Sequence, residues 1–219
     1  MKILVTGGSG FIGTAISKHA AEEGVSVVNI SRRGKSKCDE DWVEKVDWIK
    51  SDIFDPKCWQ NKAKGCDTIV HCIGIITEAP EKGITYEKLN GDSPIIVAEA
   101  AKNLGAHSFI FLSASVAPPG ISDRFIKEKR RAEEQIKKFG MRTVIFRPGP
   151  VWGPTQPMSP FIRSLLTIGA SIPILRKIVG PAKPLHIETL VKSVMKAIVD
   201  QTITGIVDIQ KIIDLSQSV

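Results

Sequence analysis

A glycine-rich turn near the start of the chain constrains its fold more than any other feature. Residues 3–5 form a short apolar run typical of a buried strand, and residues 14–23 indicate a helix. Gly7, Gly10 and Gly13 lie between these two segments. The sequence therefore predicts a strand, a tight turn and a helix in immediate succession.

Each glycine of this turn has its own physical task. Gly7 allows the tight turn, Gly10 lets the backbone approach a pyrophosphate, and Gly13 lets the helix pack closely against the strand. The first turn of the helix offers unpaired N–H groups and a partial positive charge to phosphate oxygens. An ordinary glycine-rich turn is the alternative, but the flanking strand and helix favour a phosphate-binding loop.

Composition predicts one domain with a well-buried core. The chain has 219 residues, 42% of them hydrophobic, which is enough for one core and too little for two full domains. The formal charge of +7 is spread along the chain and aromatic residues are few, so we expect no nucleic-acid partner. The spacing of the four cysteines predicts free thiols and no metal site: Cys38, Cys58, Cys66 and Cys72.

Neither export nor a membrane span is predicted. The first strand begins at Lys2, which leaves no room for a signal peptide, and no apolar run approaches the length that crosses a bilayer. We therefore expect a soluble protein.

The end of the second predicted strand, residues 25–30, indicates which dinucleotide the turn would bind. Sites that prefer NAD usually place a carboxylate there for the ribose 2′-hydroxyl, whereas sites that prefer NADP place basic groups near the 2′-phosphate. This chain has no acid at that point and has Ser31, Arg32, Arg33 and Lys35 instead. A guanidinium can hold a phosphate through two parallel hydrogen bonds, so these residues favour NADP(H). A solvated basic turn is the alternative.

Two motifs resemble those of the extended and atypical short-chain dehydrogenases/reductases (SDRs). Residues 6–13 have the Thr-Gly-x-x-Gly-x-x-Gly form of their cofactor loop, and residues 147–154, Arg-Pro-Gly-Pro-Val-Trp-Gly-Pro, closely resemble a second motif. The resemblance covers essentially the whole chain. It implies an α/β fold with a doubly wound parallel Rossmann sheet of about seven strands. It also implies a single domain over residues 1–219, with residues 154–185 as a small substrate lid.

The same resemblance implies a set of cofactor-binding residues near the strand ends. Asp52 and Ile53 follow a third strand, residues 46–50, where the family caps the adenine pocket; a turn before a helix over residues 56–64 is compatible with that role. His71 is expected to be a structural residue or one at the edge of the cofactor rather than a catalyst. The residues implied for NADP(H) are Gly7, Gly10, Phe11, Ile12, Gly13, Ser31, Arg32, Arg33, Asp52, Ile53, Cys72, Ile73, Gly74, Asn90, Lys129 and Pro148.

The catalytic set that the resemblance implies is incomplete in this chain. Active SDRs combine a Ser or Thr with a Tyr-x-x-x-Lys pair, in which the lysine lowers the phenol pKa and the phenol transfers the proton. Ser113 and Lys129 match two of these positions, but Phe125 stands at the third and cannot transfer a proton. Tyr86, the one tyrosine, belongs to a different helix, predicted over residues 86–104. Ser113 and Lys129 are therefore the implied catalytic residues, with a solvated surface charge as the alternative for Lys129.

The predicted lid has an unusual mixture of side chains. Residues 161–178 combine many apolar residues with Arg163, Arg176 and Lys177. This mixture suits an apolar substrate mouth or an anionic membrane surface, and a segment that only covers the core is at least as consistent with it. A lid of this size is not expected to hold a nucleotide sugar.

The missing tyrosine and short lid resemble an atypical SDR branch that includes an accessory subunit of respiratory complex I and a fungal coenzyme Q biosynthesis protein. That resemblance implies a link to quinone metabolism or respiratory assembly, an apolar or quinone-like ligand, association with a membrane surface or protein complex, and a cytoplasmic or mitochondrial matrix location. Two functions stay open. One is an NADP(H)-dependent reductase in which Ser113 or an ordered water replaces the tyrosine; the other is a non-catalytic NADPH-binding scaffold or redox sensor.

Overall fold

A seven-stranded parallel β-sheet forms the centre of the computed structural model, which describes residues 1–36, 38–118, 120–171 and 180–218. A two-stranded parallel ribbon lies apart from this sheet. The sheet strands are β1 (Lys2–Thr6), β2 (Ser26–Ser31), β3 (Val46–Lys50), β4 (Thr68–His71), β5 (Ser108–Leu112), β6 (Arg142–Phe146) and β9 (Gly205–Val207), and the ribbon strands are β7 (Val151–Trp152) and β8 (Leu185–His186).

Helices cover both faces of the sheet, as the doubly wound prediction requires. Buried residues of α1, α5 and α6 pack on one face, and those of α2 and α3 pack on the other. The α-helices of the described residues are α1 (Phe11–Glu22), α2 (Ser93–Asn103), α3 (Arg124–Lys137), α4 (Pro160–Ser171), α5 (Ile187–Val199) and α6 (Ile209–Gln217).

The first strand shows why the central strands are apolar on both sides. Ile3 and Val5 pack into the layer formed with α1 and α5, whereas Leu4 packs into the opposite layer formed with α2 and α3. All three side chains are completely buried. A parallel sheet covered on both faces needs this continuous apolar pattern, and each such side chain contributes about 1.5–3 kcal/mol on burial.

The order of the strands locates the crevice of the sheet. The order is β3-β2-β1-β4-β5-β6-β9, so the chain winds outward in one direction from β1 and in the other direction from β4. In open parallel sheets, ligands bind where the winding reverses, beyond the carboxyl ends of the two central strands. Here those ends are Thr6 and His71.

Two predicted helices differ from the structure. The helix predicted over residues 56–64 is wrong: the segment has two short 3₁₀ turns, because Trp59 has non-helical backbone angles and its side chain is buried in the core. The helix predicted over residues 86–104 begins as a π-helix, Glu87–Asp92, before α2.

The predicted lid, residues 154–185, is described only in part. It includes α4, and residues 172–179, among them Arg176 and Lys177, lie outside the described residues. Along α4 the side chains of Phe161, Leu165 and Ile168 are mostly exposed. Within the described ranges, none of the helices has the length and apolar character that crossing a membrane requires.

Candidate functional site

A cleft of about 610 Å³ lies at the crevice of the sheet, within the size range of small-molecule sites. The glycine loop after β1 forms one wall, and the end of β4 forms another. The residues predicted for cofactor binding that line this cleft are Gly7, Gly10, Ser31, Arg32, Arg33, Asp52, Ile53, Cys72, Ile73 and Gly74.

The glycine loop fits a phosphate group closely. Gly7 has φ +76°, a left-handed conformation that favours glycine. A Cβ on Gly13 would lie 2.5 Å from the Gly7 carbonyl oxygen, so the first turn of α1 packs against the loop itself. Phe11 and Ile12 open that helix, whose free N-terminal amides suit an anion. A dinucleotide pyrophosphate therefore fits this loop.

Arg32 and Arg33, at the end of β2, differ in what they contact. The Ser31 hydroxyl donates to the Gly34 carbonyl oxygen at 3.1 Å, so it holds the turn. Arg33 donates through Nε to the Ser9 hydroxyl at 3.3 Å and through Nη2 to the Ser9 carbonyl oxygen, which fixes it to the glycine loop. Arg32 is exposed and, among the described residues, its guanidinium has no hydrogen bond or ion pair.

Asp52 stabilises the turn that follows β3 and also lines the cleft. Its Oδ1 accepts a hydrogen bond from the Phe54 amide at 3.1 Å and so stabilises the turn, while the residue also lines the cleft. Ile53 is buried, and its carbonyl oxygen accepts a hydrogen bond from the Trp59 indole at 3.3 Å. The turn is therefore anchored at the wall of the cleft.

Asn90 holds the loop after β4. Its Oδ1 accepts from the Ile75 amide at 2.8 Å and its Nδ2 donates to the Ile75 carbonyl oxygen at 3.0 Å. A Cβ on Gly74 would lie 3.1 Å from this Oδ1 and 3.3 Å from the Lys129 Nζ. Asn90 therefore positions the backbone of the cleft wall, and Gly74 brings that wall against Lys129.

A buried hydrogen-bonded chain runs beneath the cleft through His71. The Ser93 hydroxyl donates to the Leu89 carbonyl oxygen at 2.8 Å, so it accepts from His71 Nε2 at 3.1 Å. His71 Nδ1 is then the acceptor for the Thr6 hydroxyl at 2.8 Å. Burial, followed by the nearby Lys129 charge, lowers the pKa of His71 to about 3. His71 is therefore neutral at ordinary pH and has the expected structural role.

Ser113 belongs to a buried charged cluster around Glu133. The Ser113 hydroxyl donates to Glu133, which also accepts from Arg130 and Arg147. Burial opposes ionisation of Glu133, but hydrogen bonds from Arg147 and Ser113 and the two guanidinium charges outweigh it and lower the pKa. Glu133 was visible in the sequence only as the last residue of a Lys-x-x-x-Glu pattern. Nor does the sequence around Arg147, which follows β6, indicate this contact.

Lys129 is buried, which excludes the solvated-surface alternative. Its Nζ donates to the Leu112 carbonyl oxygen at 3.1 Å and lies 5.2 Å from the ring centre of Phe111 and 5.8 Å from that of Phe125. Burial lowers the pKa of Lys129 to about 8, an effect that Glu133 partly opposes.

Phe125 is buried at the expected tyrosine position and contacts Tyr86, which the sequence placed on a different helix. The two rings meet edge to face, with centres 5.8 Å apart. The Tyr86 hydroxyl donates to the Ile76 carbonyl oxygen at 2.6 Å. The one tyrosine of the sequence therefore packs beside Phe125, while its own hydroxyl is bonded to Ile76.

The motif of residues 147–154 runs from the end of β6 into β7 and so connects the main sheet to the ribbon. Pro148 is buried, and its carbonyl oxygen accepts from the Ser115 amide at 2.9 Å. Trp152 packs edge to face on His186, with ring centres 4.5 Å apart, and the Arg163 guanidinium carbon lies 4.2 Å from the Trp152 ring centre. The first turns of α4 are thus attached to this motif.

Known proteins resemble this chain in sequence and in fold. MIOREX complex component 2 of Saccharomyces cerevisiae is 29% identical over an alignment of 198 positions, which covers 68% of this chain and 72% of that protein. The ceramide reductase of Caulobacter vibrioides is 26% identical over 153 residues, 69% of this chain and 47% of that protein. The UDP-glucuronic acid 4-epimerase of Bacillus cereus in complex with NAD superposes with a TM-score of 0.69 at 21% identity, over 95% of this chain and 78% of that one.

The family model described as the NAD dependent epimerase/dehydratase family matches residues 3–172. This match begins in β1 and includes the glycine loop, Ser113 and Lys129. The chain therefore belongs to the NAD dependent epimerase/dehydratase family, with an SDR-like Rossmann fold.

Proposed function

We propose that the protein binds NADP(H) in the cleft and reduces an apolar carbonyl or quinone substrate. The observation that carries the cofactor choice is Arg32, whose guanidinium lies on the cleft wall without a partner among the described residues, at a strand end that has no acid. A free guanidinium can grip a 2′-phosphate without first giving up another partner. When bound, the nicotinamide supplies the hydride-transfer chemistry.

The proposed contacts follow the cleft from one end to the other. The 2′-phosphate lies at Arg32, and the adenine lies at Asp52 and Ile53. The pyrophosphate lies on the glycine loop and the N-terminus of α1, where the amides face it. The nicotinamide end lies toward Gly74 and Pro148, with Lys129 holding the ribose.

Cofactor titration of the wild type and two variants tests this assignment. We expect NADPH to bind more tightly than NADH, and Arg32→Ala to lower NADPH affinity about tenfold to a hundredfold through loss of a charge-assisted contact. Lys35→Ala is the matched control, because the Lys35 ammonium is already paired with Glu44 at 2.6 Å. Equal wild-type affinities for NADPH and NADH would contradict the proposed specificity.

The apolar substrate is supported by the exposed side chains of α4. We propose that residues 154–185 form the substrate lid of a single-domain protein and that Leu165 belongs to its apolar face. A relative of this chain is a reductase of ceramide, an apolar molecule. Leu165→Glu should raise KM for an apolar ketone and leave NADPH affinity unchanged. Two results together would assign this face to a membrane instead. The wild type would float with anionic but not with neutral vesicles, and Leu165→Glu would have the same KM as the wild type.

A non-catalytic NADPH-binding scaffold is the second candidate, and Phe125 favours it. This side chain occupies the proton-donor position without a proton to give, and Ser113 already donates to Glu133. A relative of this chain is a component of a complex. Stopped-flow oxidation of bound NADPH against a panel of quinones and ketones separates the candidates, since a scaffold leaves the nicotinamide absorbance unchanged with every compound.

A further inference from the structure

The hydroxyl groups of Ser113 and Tyr86, near the expected reaction site, already donate their protons to other acceptors. Ser113 donates its proton to Glu133, whose other partners are guanidinium groups. Tyr86 donates its proton to the Ile76 carbonyl oxygen. Phe125, which fills the space between Tyr86 and Lys129, has none. A substrate oxygen that gains a proton here must therefore receive it from another group.

Lys129 has N–H protons that no acceptor among the described residues takes up. Its Nζ uses one N–H for the Leu112 carbonyl oxygen, and no carboxylate of the described residues lies within ion-pair distance of it. The rings of Phe111 and Phe125 lie beside it and accept no full hydrogen bond. On the remaining side is Gly74, which lacks a side chain and lines the cleft.

We propose that Lys129 is the catalytic acid of this site and gives its proton directly to the substrate oxygen. This inference rests on the proposed reductase function. Reduced nicotinamide, when bound, would supply the hydride to the carbonyl carbon, and the C=O π pair would move to the oxygen. That oxygen takes a proton from the Nζ ammonium, so the carbonyl becomes an alcohol, the nicotinamide is oxidised and Lys129 becomes a neutral amine. Solvent then returns a proton to the amine.

The charges around Lys129 are compatible with this task. Burial lowers the pKa of Lys129 to about 8, Glu133 raises it and Arg130 lowers it, while Cys72 and neutral His71 are the other titratable neighbours. An acid whose pKa lies near the working pH both holds its proton and releases it readily. An exposed lysine, with a pKa near 10.4, would be a far weaker donor.

Direct titration of the wild type tests the inference without turnover. In protein labelled with ¹³C at lysine Cε, the Lys129 signal is identified by its loss in Lys129→Arg. We expect its midpoint near pH 8 in the cofactor-free protein, because burial already disfavours the ammonium. A midpoint above pH 10 would overturn the proposal.

Kinetics of two arginine variants provide the second test, with NADPH and either acetophenone or menadione. Lys129→Arg keeps the charge but cannot release a proton, so we expect turnover to fall about 10²–10⁴-fold while NADPH affinity falls by no more than about tenfold. Lys127→Arg, an exposed position on the same helix, should match the wild type. Wild-type turnover should decline as the pH rises above about 8.

The outcomes separate this inference from the proposed function. Undiminished turnover in Lys129→Arg overturns Lys129 as the acid and leaves the reductase assignment intact. NADPH binding without turnover of either substrate also overturns it, and favours the scaffold. A wild type that does not bind NADPH contradicts the proposed function itself, and with it this inference.

Discussion

Phe125 is the residue at which the chain departs most from the motifs it otherwise follows. Its side chain is buried, its ring lies 5.8 Å from the Lys129 Nζ, and the resemblance predicts a catalytic tyrosine at its position. What it lacks is a single hydroxyl group. The spacing to Lys129 already predicts this arrangement from the sequence, because residues four apart lie on one face of a helix.

Adding that hydroxyl should increase activity. We expect Phe125→Tyr to raise kcat with NADPH and a ketone about tenfold or more, because Lys129 can stabilise the phenolate and so lower the phenol pKa. Phe139→Tyr, just after the end of α3, adds the same hydroxyl group away from the cleft and should leave kcat unchanged. A Phe125→Tyr variant that binds NADPH like the wild type but gains no activity would contradict the alignment of this helix with the catalytic motif.

His71 makes the stability of the protein sensitive to mild acid. Its pKa is about 3 in the folded state and about 6.5 in an unfolded chain, so the unfolded state takes up a proton first as the pH falls. Neutral His71 contributes its full stabilisation only above its unfolded-state pKa of about 6.5, and this contribution decreases as the pH falls below that value. Between pH 7 and pH 5 the loss is about 2 kcal/mol.

Urea unfolding at these two pH values measures this effect. His71→Gln should lower stability at pH 7, because Thr6 and Ser93 lose a buried partner, and should also reduce the pH 7 to pH 5 difference by about 2 kcal/mol. His107→Gln, at an exposed position, should keep the wild-type pH dependence. An unchanged pH dependence in His71→Gln would show that His71 is not neutral in the folded protein.

At the scale of elements, Glu133 attaches α3 to the ends of two strands. It accepts from Ser113 after β5 and from Arg147 after β6, and from Arg130 on its own helix. The Glu133 carboxylate is 2% exposed, so water cannot readily replace it. Removing its charge leaves the guanidinium groups of Arg130 and Arg147 without their anionic partner.

We expect Glu133→Gln to destabilise the protein by about 3 kcal/mol, the usual cost of breaking a buried ion pair by removing one partner. Glu134→Gln is the matched control, since Glu134 is exposed on the same helix, and its effect should stay within about 0.5 kcal/mol. Equilibrium urea denaturation gives both values. Equal stability of the two variants would mean that the cluster does not hold α3 in place.

The elements differ in how well the sequence predicts them. The central strands are predictable because burial on both faces leaves continuous apolar runs, as in β1. The π-helix Glu87–Asp92 is not, because the local pattern does not contain the distant contacts made here: Asn90 bonds to Ile75, and Ser93, the first residue of α2, bonds to His71. Trp59 likewise breaks a predicted helix because its ring is buried in the core.

The candidate site shows the same division. Gly7, Arg32 and Gly74 line one cleft because each follows a parallel strand, which topology alone predicts. The contact between Tyr86 and Phe125 joins residues 39 positions apart in the chain, and no local pattern contains it. Contacts between side chains of separate helices depend on how the helices pack, which the residue pattern does not specify.

At the scale of the whole molecule, the sheet couples the cleft to the core. The cleft is built from segments after β1, β2, β3 and β4, and the same strands carry both buried layers. A ligand that fills the cleft therefore binds only the folded chain. This predicts that cofactor binding stabilises the protein as one cooperative unit.

Calorimetry tests this prediction. NADPH at about 100 times its Kd should add about 2.7 kcal/mol and raise Tm by about 5–10 °C, with one transition in both the free and the bound protein. Arg32→Ala at the same NADPH concentration should show a smaller rise. Two separate transitions, of which NADPH moves only one, would contradict a single-domain chain.

Tyr86 also gives the molecule a natural spectroscopic label. Because the chain has one tyrosine, biosynthetic incorporation of fluorotyrosine yields one ¹⁹F resonance. Its ring touches Phe125 and its hydroxyl is bonded to Ile76, in the loop that follows the cleft wall. That resonance would sense occupation of the cleft and rearrangement of this loop in a single spectrum, so candidate ligands can be screened without an activity assay.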